Sequence, residues 1–129
     1  MKLSVAELVL NARARIQEIA GAELPRWREA GAALIDVREP AEYATGHIEG
    51  AINIPRGVLE FAVQATPALD NVTDPALALR DRPIVLYCRS GGRAALAADS
   101  LQQMGFTRVV SLAGGIGAWR EAGGAVIMR

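Results

Sequence analysis

The sequence predicts an α/β fold, an open parallel β-sheet of four to five strands with helices on both faces. Three observations carry that expectation. Strand-like apolar runs alternate with helix-like segments along the chain, the pattern that builds parallel sheets. The runs at 32–37 and 84–87 are compact and apolar, the first broken only by Asp36, and do not alternate, which marks strands buried on both faces. Each is followed by a turn and a helical pattern.

The elements come in order. Ser4 and Glu7 form a capping box, and Val5, Leu8, Val9, Ala12 and Ile16 recur at helical spacing, so a helix is predicted over 5–15. Residues 16–20 read as a short strand. Residues 22–30 read as a second helix, with Pro25 in its first turn and Gly31 as its stop. After the 32–37 strand come a short helix at 40–44, a loop at 46–55 holding a short strand at 51–54, and a helical piece at 58–63. Residues 64–82 carry Pro67 and Pro75 and precede Pro83; they read as a long surface connection with short helical pieces. The strand 84–87 leads into a tight six-residue loop, 88–93, and a helix, 94–104, that stops before Gly105. A strand at 108–112, a helix at 114–122 led by two glycines, and a short edge strand within 123–129 complete the reading.

At 129 residues the chain fits one domain, 1–129, with about 1–16 as an N-terminal helical extension. Net charge is zero, and no basic stripe points to nucleic acid. No apolar stretch is long enough to span a bilayer. Glu7 interrupts the apolar start, which makes a poor secretion signal. Lys2, Arg13 and Arg15 hint at organelle import, but Glu7 and Glu18 weaken the hint, so a cytoplasmic location is the expectation. One cysteine and one histidine make neither an intramolecular disulfide nor a metal-ligand set. No metal and no cofactor are expected.

The lone cysteine, Cys88, is either a small buried hydrophobe, as free cysteines often are, or the chemical focus of the chain. It comes directly after a buried strand and opens a loop containing Gly91 and Gly92, flanked by Arg89 and Arg93. Open α/β sheets place their sites beyond the C-terminal ends of the strands, where Asp36 also falls. A thiol wrapped by N–H groups at a helix start and beside two guanidinium groups should ionise easily. An unperturbed cysteine titrates near 8.5; bringing that down to about 6.5 would leave mostly thiolate, for about 2.7 kcal/mol of anion stabilisation. Gly91 and Gly92 permit backbone conformations closed to other residues and keep the mouth open. Arg93 either binds a substrate oxyanion or pairs with Asp36, Glu39 or Glu42. Arg89 points to solvent and substrate. Asp36 and Arg38 hold loops together through ion pairs and amide hydrogen bonds. Trp27 and Trp119 pack on the core, and Phe61 lines the pocket mouth.

Three blocks carry a family resemblance: L-I-D-V-R-E-P-A-E-Y-A-T-G-H-I-E-G-A-I-N-I-P at 34–55, I-V-L-Y-C-R-S-G-G-R at 84–93 and L-A-G-G-I-G-A-W at 112–119. In this order they resemble the rhodanese (thiosulfate sulfurtransferase) family, over about two-thirds of the chain and excluding the first helix. The resemblance implies that Cys88 is the nucleophile and sulfur carrier, and that Arg89, Ser90, Gly91, Gly92 and Arg93 cradle a persulfide, with Asp36, Arg38, Glu39 and His47 in support. His47, the lone histidine, is a candidate general base, whereas the resemblance implies that it fixes a loop. It implies a small sulfur-containing anion such as thiosulfate, or a persulfide, as donor, and a thiol, cyanide or a protein cysteine as acceptor, with ping-pong kinetics. Four residues separate Cys88 from Arg93, whereas cysteine phosphatases carry five, a wider ring suited to phosphate. A non-catalytic binding or regulatory module is the alternative reading. A phosphatase or arsenate reductase is a third, disfavoured by loop length and by the lack of a second, resolving thiol. The apolar stripe of the first helix either packs on the domain or forms a homodimer.

Overall fold

A computed structural model describes residues 2–64 and 75–128 of the chain. Its helices are α1 (Val5–Arg13), α2 (Leu24–Glu29), α3 (Pro40–Ala44), α4 (Leu59–Val63), α5 (Gly92–Gln103) and α6 (Gly115–Glu121). Its strands are β1 (Gln17–Ile19), β2 (Ala33–Asp36), β3 (Ile52–Asn53), β4 (Ile84–Tyr87) and β5 (Val109–Leu112). Short 3-10 turns occupy Gly21–Glu23, Arg56–Val58 and Pro75–Ala78. All strands pair in parallel, in the order β1-β5-β4-β2-β3. This is the α/β architecture the sequence predicts. Among the described residues no helix is long and apolar enough to cross a membrane.

Successive side chains of a strand point to opposite faces, and the core divides accordingly. Ile84, Leu86, Ile35, Val37 and Val109 join Leu59, Val63, Ala94, Ala97 and Leu101 on the face covered by α4 and α5. Val85, Tyr87, Leu34, Val110 and Leu112 join Leu24, Ile48 and Ile116 on the other, with Trp27 and Trp119 packed against them. Because β4 buries both faces completely, its C-terminal end has a fixed position, and the turn beyond Tyr87 inherits it.

Several boundaries move, each for a local reason. The capping box at Ser4 and Glu7 starts α1, but the helix ends at Arg13 because Arg15 reaches across to α5: its Nε and Nη2 donate to Asp99 at 2.9 and 2.7 Å, and Gln102 donates to its carbonyl at 2.8 Å. So α1 packs on the domain through its buried Ala12, while Leu3, Val5, Leu8 and Leu10 stay exposed. The helix predicted to begin at 94 begins at Gly92, because Gly91 takes the left-handed conformation (φ 117) and accepts the first helical hydrogen bond from Ala95. The six-residue loop is therefore a shorter turn whose last two residues are already helical.

The predicted C-terminal edge strand does not form. Gly123 has φ 86 and Gly124 lies against the Trp119 indole, so the chain doubles back. It makes a single antiparallel bridge, Ile127 to His47, with both N–H···O distances 2.8 Å. Of the long connection predicted over 64–82, residues 65–74 lie outside the described residues.

Replacing Ala12 by Asp places a charge at the contact that docks α1. Amides of residues 5–13 are expected to exchange with solvent about tenfold faster or more, with protection in β4 unchanged; hydrogen-exchange mass spectrometry reads both.

Candidate active site

The site begins where β4 ends. The Tyr87 carbonyl accepts from Val37 N–H at 2.9 Å, which closes the ladder one residue before the thiol. The chain then turns, and the Gly91 N–H donates to Cys88 Sγ at 3.1 Å. Cys88 is only 1% exposed and joins the core face covered by α5. The thiol therefore sits at the floor of the turn. Its hydrogen-bond donor is the Gly91 amide, where the sequence led us to expect several converging N–H groups.

The outer side of the turn is held by α6. Ile116 N–H donates to the Cys88 carbonyl at 2.9 Å and Gly117 N–H to the Arg89 carbonyl at 3.0 Å. Gly115 makes this approach possible. Its φ is +58, and a Cβ there would collide with the Cys88 carbonyl oxygen and lie 2.7 Å from the Arg89 carbonyl group. Sequence reasoning placed Gly114 and Gly115 at a helix start and missed their part in the site. The glycine-rich run G-G-I-G at 114–117 was the available signal.

The remaining candidate residues separate into two groups. Arg93, in the first turn of α5, makes a bidentate pair with Glu42 of α3 at 2.7 and 3.0 Å. Of the alternatives open from sequence, the ion pair is the arrangement seen, and its partner is Glu42 alone. The Arg93 hydrogen bonds hold the Glu42 carboxyl down at about 2, and the same contact raises the Arg93 guanidinium, with further contributions from the Cys88 and Asp36 charges. Asp36, fully buried, accepts from the Arg38 backbone N–H at 2.9 Å and from its guanidinium at 2.7–3.1 Å. Arg38 also donates to the Gly46 carbonyl at 2.7 Å. Burial opposes its charge, but the Asp36 contacts outweigh burial and raise its pKa. Tyr87, beneath this pair, is pushed well above the ordinary phenol range, chiefly by burial.

His47 is 3% exposed, stacks on Tyr43 at 3.7 Å between ring centroids, and its Nδ1 lies 3.1 Å from the Tyr43 carbonyl. It is built into the wall. Glu39 is exposed and precedes α3, its N–H donating to Glu42 at 3.0 Å. Arg89 and Ser90 are exposed at the tip of the turn. Gly92 faces Val9 of α1, whose Cγ2 is 3.6 Å from where a Cβ would stand, and Arg13 lies 3.0 Å from the corresponding point on Gly91. Beside the turn, Arg38, Glu42, Thr45, Arg89, Ile116, Gly117 and Arg120 line a cleft of about 280 Å³. Phe61 is half exposed on α4 and is not among them. Among the described residues no group of His, Cys, Asp and Glu is arranged to hold a metal ion.

A profile of the Rhodanese-like domain matches residues 21–122. The chain belongs to the rhodanese family. It is 38% identical over 90 residues to "Sulfurtransferase" of Allochromatium vinosum, covering 70% of this chain and 73% of that protein. It is 36% identical over 106 residues to "Thiosulfate sulfurtransferase GlpE" of Pseudomonas paraeruginosa, covering 81% and 84%. These relatives put this rhodanese in a sulfurtransferase family. Among solved structures it is similar to RPA3614 of Rhodopseudomonas palustris CGA009, described as a protein of unknown function and possible tyrosine phosphatase. That match has a TM-score of 0.83 and 30% identity over 98% of this chain and 96% of that one. The rhodanese profile begins after α1 and β1, whereas the likeness to RPA3614 takes in nearly the whole chain.

Two substitutions test this arrangement of the rhodanese. Gly115→Ala forces a left-handed conformation on alanine against the Cys88–Arg89 peptide, and chemical denaturation should show a loss of about 2–3 kcal/mol. Glu42→Gln removes a carboxylate whose pKa is depressed by folding. The wild-type advantage is full above the ordinary carboxylate value of 4.5 and is lost as pH falls toward about 2. Melting curves of the two proteins should converge across that window.

Proposed function

We propose that the protein is a sulfurtransferase that carries a sulfane sulfur as a persulfide on Cys88. The Cys88 thiolate attacks the outer sulfur of thiosulfate, the S–S bond breaks, and sulfite leaves with its electron pair. A nucleophilic acceptor, cyanide or a thiolate, then attacks the outer sulfur of the persulfide and the electron pair returns to Sγ. No external oxidant or reductant enters the balance. The observation that carries this reading is the Gly91 N–H on Cys88 Sγ at 3.1 Å, in a turn with four residues between Cys88 and Arg93. An N–H aimed at sulfur stabilises negative charge there. Rhodanese membership and relatives named sulfurtransferase support it.

The division of labour differs from the one sequence suggested. Arg93 is committed to Glu42 by two hydrogen bonds, so its charge reaches the site already neutralised within a pair. Arg89, exposed and next to the thiol in the chain, is a cation left to attract an anionic donor. The burial of Cys88 makes size a filter, since only slender groups enter the turn. The description of RPA3614 raises a phosphatase reading. It fits poorly: such an enzyme needs a guanidinium free to clamp phosphate oxygens, and Arg93 is occupied. A non-catalytic module would have no need of the sulfur-directed amide.

Intact-mass spectrometry after thiosulfate treatment should show a gain of one sulfur atom that cyanide removes as thiocyanate and that Cys88→Ser never acquires. No gain with thiosulfate or polysulfide would overturn the proposal, and turnover of p-nitrophenyl phosphate would favour the phosphatase reading.

A further inference from the structure

We infer that the cleft beside Arg89 is a subsite for the carboxylate of an organic thiol acceptor, and that Arg120 is its second binding residue. The subsite presupposes sulfur transfer through Cys88 and defines the class of molecule that relieves the enzyme of its sulfur.

Charge points there first. Four arginines border or approach the cleft. Arg38 is spent on Asp36 and the Gly46 carbonyl, and Arg93 on Glu42. Glu42, the acid in the lining, has both oxygens engaged by Arg93. The guanidinium groups of Arg89 and Arg120 have no hydrogen bond or ion pair among the described residues. The cleft therefore keeps two guanidinium groups with no described ion-pair partner, and guanidinium groups bind carboxylates bidentately.

Placement points the same way. Arg120 lies over Gly46, where a Cβ would stand 2.8 Å from Nη2. The missing side chain is what gives the guanidinium its bed. Ile116 and Gly117, which line the cleft, donate to the Cys88 and Arg89 carbonyls, so the subsite and the sulfur turn share one piece of backbone.

Size and separation select the ligand. At about 280 Å³ the cleft is near the lower end, roughly 300 Å³, of sites for small organic ligands, and roomier than an inorganic anion needs. Cys88 does not line it. An inorganic anion bound there would leave its sulfur away from Sγ. The acceptor this arrangement calls for carries sulfur at one end, for the persulfide, and a carboxylate at the other, for the cleft. In the transfer the acceptor thiol gives its proton to solvent, its thiolate attacks the outer persulfide sulfur, the old S–S bond breaks toward Cys88, and the product leaves as an organic persulfide.

Two acceptors isolate the carboxylate: 3-mercaptopropionate, and the neutral 2-mercaptoethanol. With thiosulfate as donor, Arg120→Ala and Arg120→Gln should each raise KM for 3-mercaptopropionate about tenfold with kcat little changed. KM for 2-mercaptoethanol, and the rate of persulfide formation from thiosulfate, should stay within about twofold. Equal effects on both thiols, or none on 3-mercaptopropionate, would overturn the subsite. A non-reactive probe separates this from the transfer reading. By NMR titration 3-(methylthio)propionate should bind the wild type and Cys88→Ser alike and the Arg120 variants about tenfold more weakly. That binding pattern in a protein that forms no persulfide would sink the transfer reading and leave the subsite standing. Equal binding to all the proteins would sink the subsite.

Discussion

The turn after Tyr87 works because its peptide groups are pulled in two directions. On the outside, the first amides of α6 bind the Cys88 and Arg89 carbonyls. On the inside, the Gly91 N–H points at the sulfur. The two bound carbonyls belong to the peptides just before the Ser90–Gly91 peptide that donates to sulfur, so α6 fixes the backbone leading into the donating amide. That requires helix and turn to approach at backbone distance, which Gly115 alone permits at its position. The sulfur site is therefore a property of two segments, β4 with its turn and the start of α6.

Ion pairs fix the walls around this turn. A buried pair gains little net stability once desolvation is counted, and its value lies in position. Asp36 and Arg38 lock the end of β2 to the Gly46 loop, and Asn53 seals the same end by donating to the Asp36 and Arg38 carbonyls. Glu42 and Arg93 tie α3 to the start of α5. Together they bring β2, α3 and α5 to the rim of the turn while consuming their own charges. Among the described residues the guanidinium groups of Arg89 and Arg120, on the same rim, are left without such a partner. The same logic explains why His47, a titratable side chain close in sequence, has no reach into the chemistry: its ring is stacked and buried in the wall.

The first helix is tied on by a different device. Arg15 reaches Asp99 on α5, and Val9 and Arg13 lie over Gly92 and Gly91. An element outside the matched rhodanese profile thus fills the space that side chains on the two glycines of the turn would take, while much of its apolar surface faces solvent.

Short-range patterns in the chain were enough to establish the sheet, the order of its helices and the place of the thiol. Runs such as 84–87 are read correctly because burial on both faces writes an unbroken apolar pattern into neighbouring residues, and capping signals such as Ser4 and Glu7 act over a single turn. The three blocks at 34–55, 84–93 and 112–119 were equally legible, being contiguous. Packing was needed to settle that Arg93 pairs with Glu42, that α6 glycines hold the Cys88 turn, that the tail bridges to His47 and that Arg120 shares a cleft with Arg89. Each of these joins residues far apart in the chain. Periodicity reports which face of an element is buried, but the partner of a charged or glycine residue depends on distances between elements, and those exist only after the chain has packed.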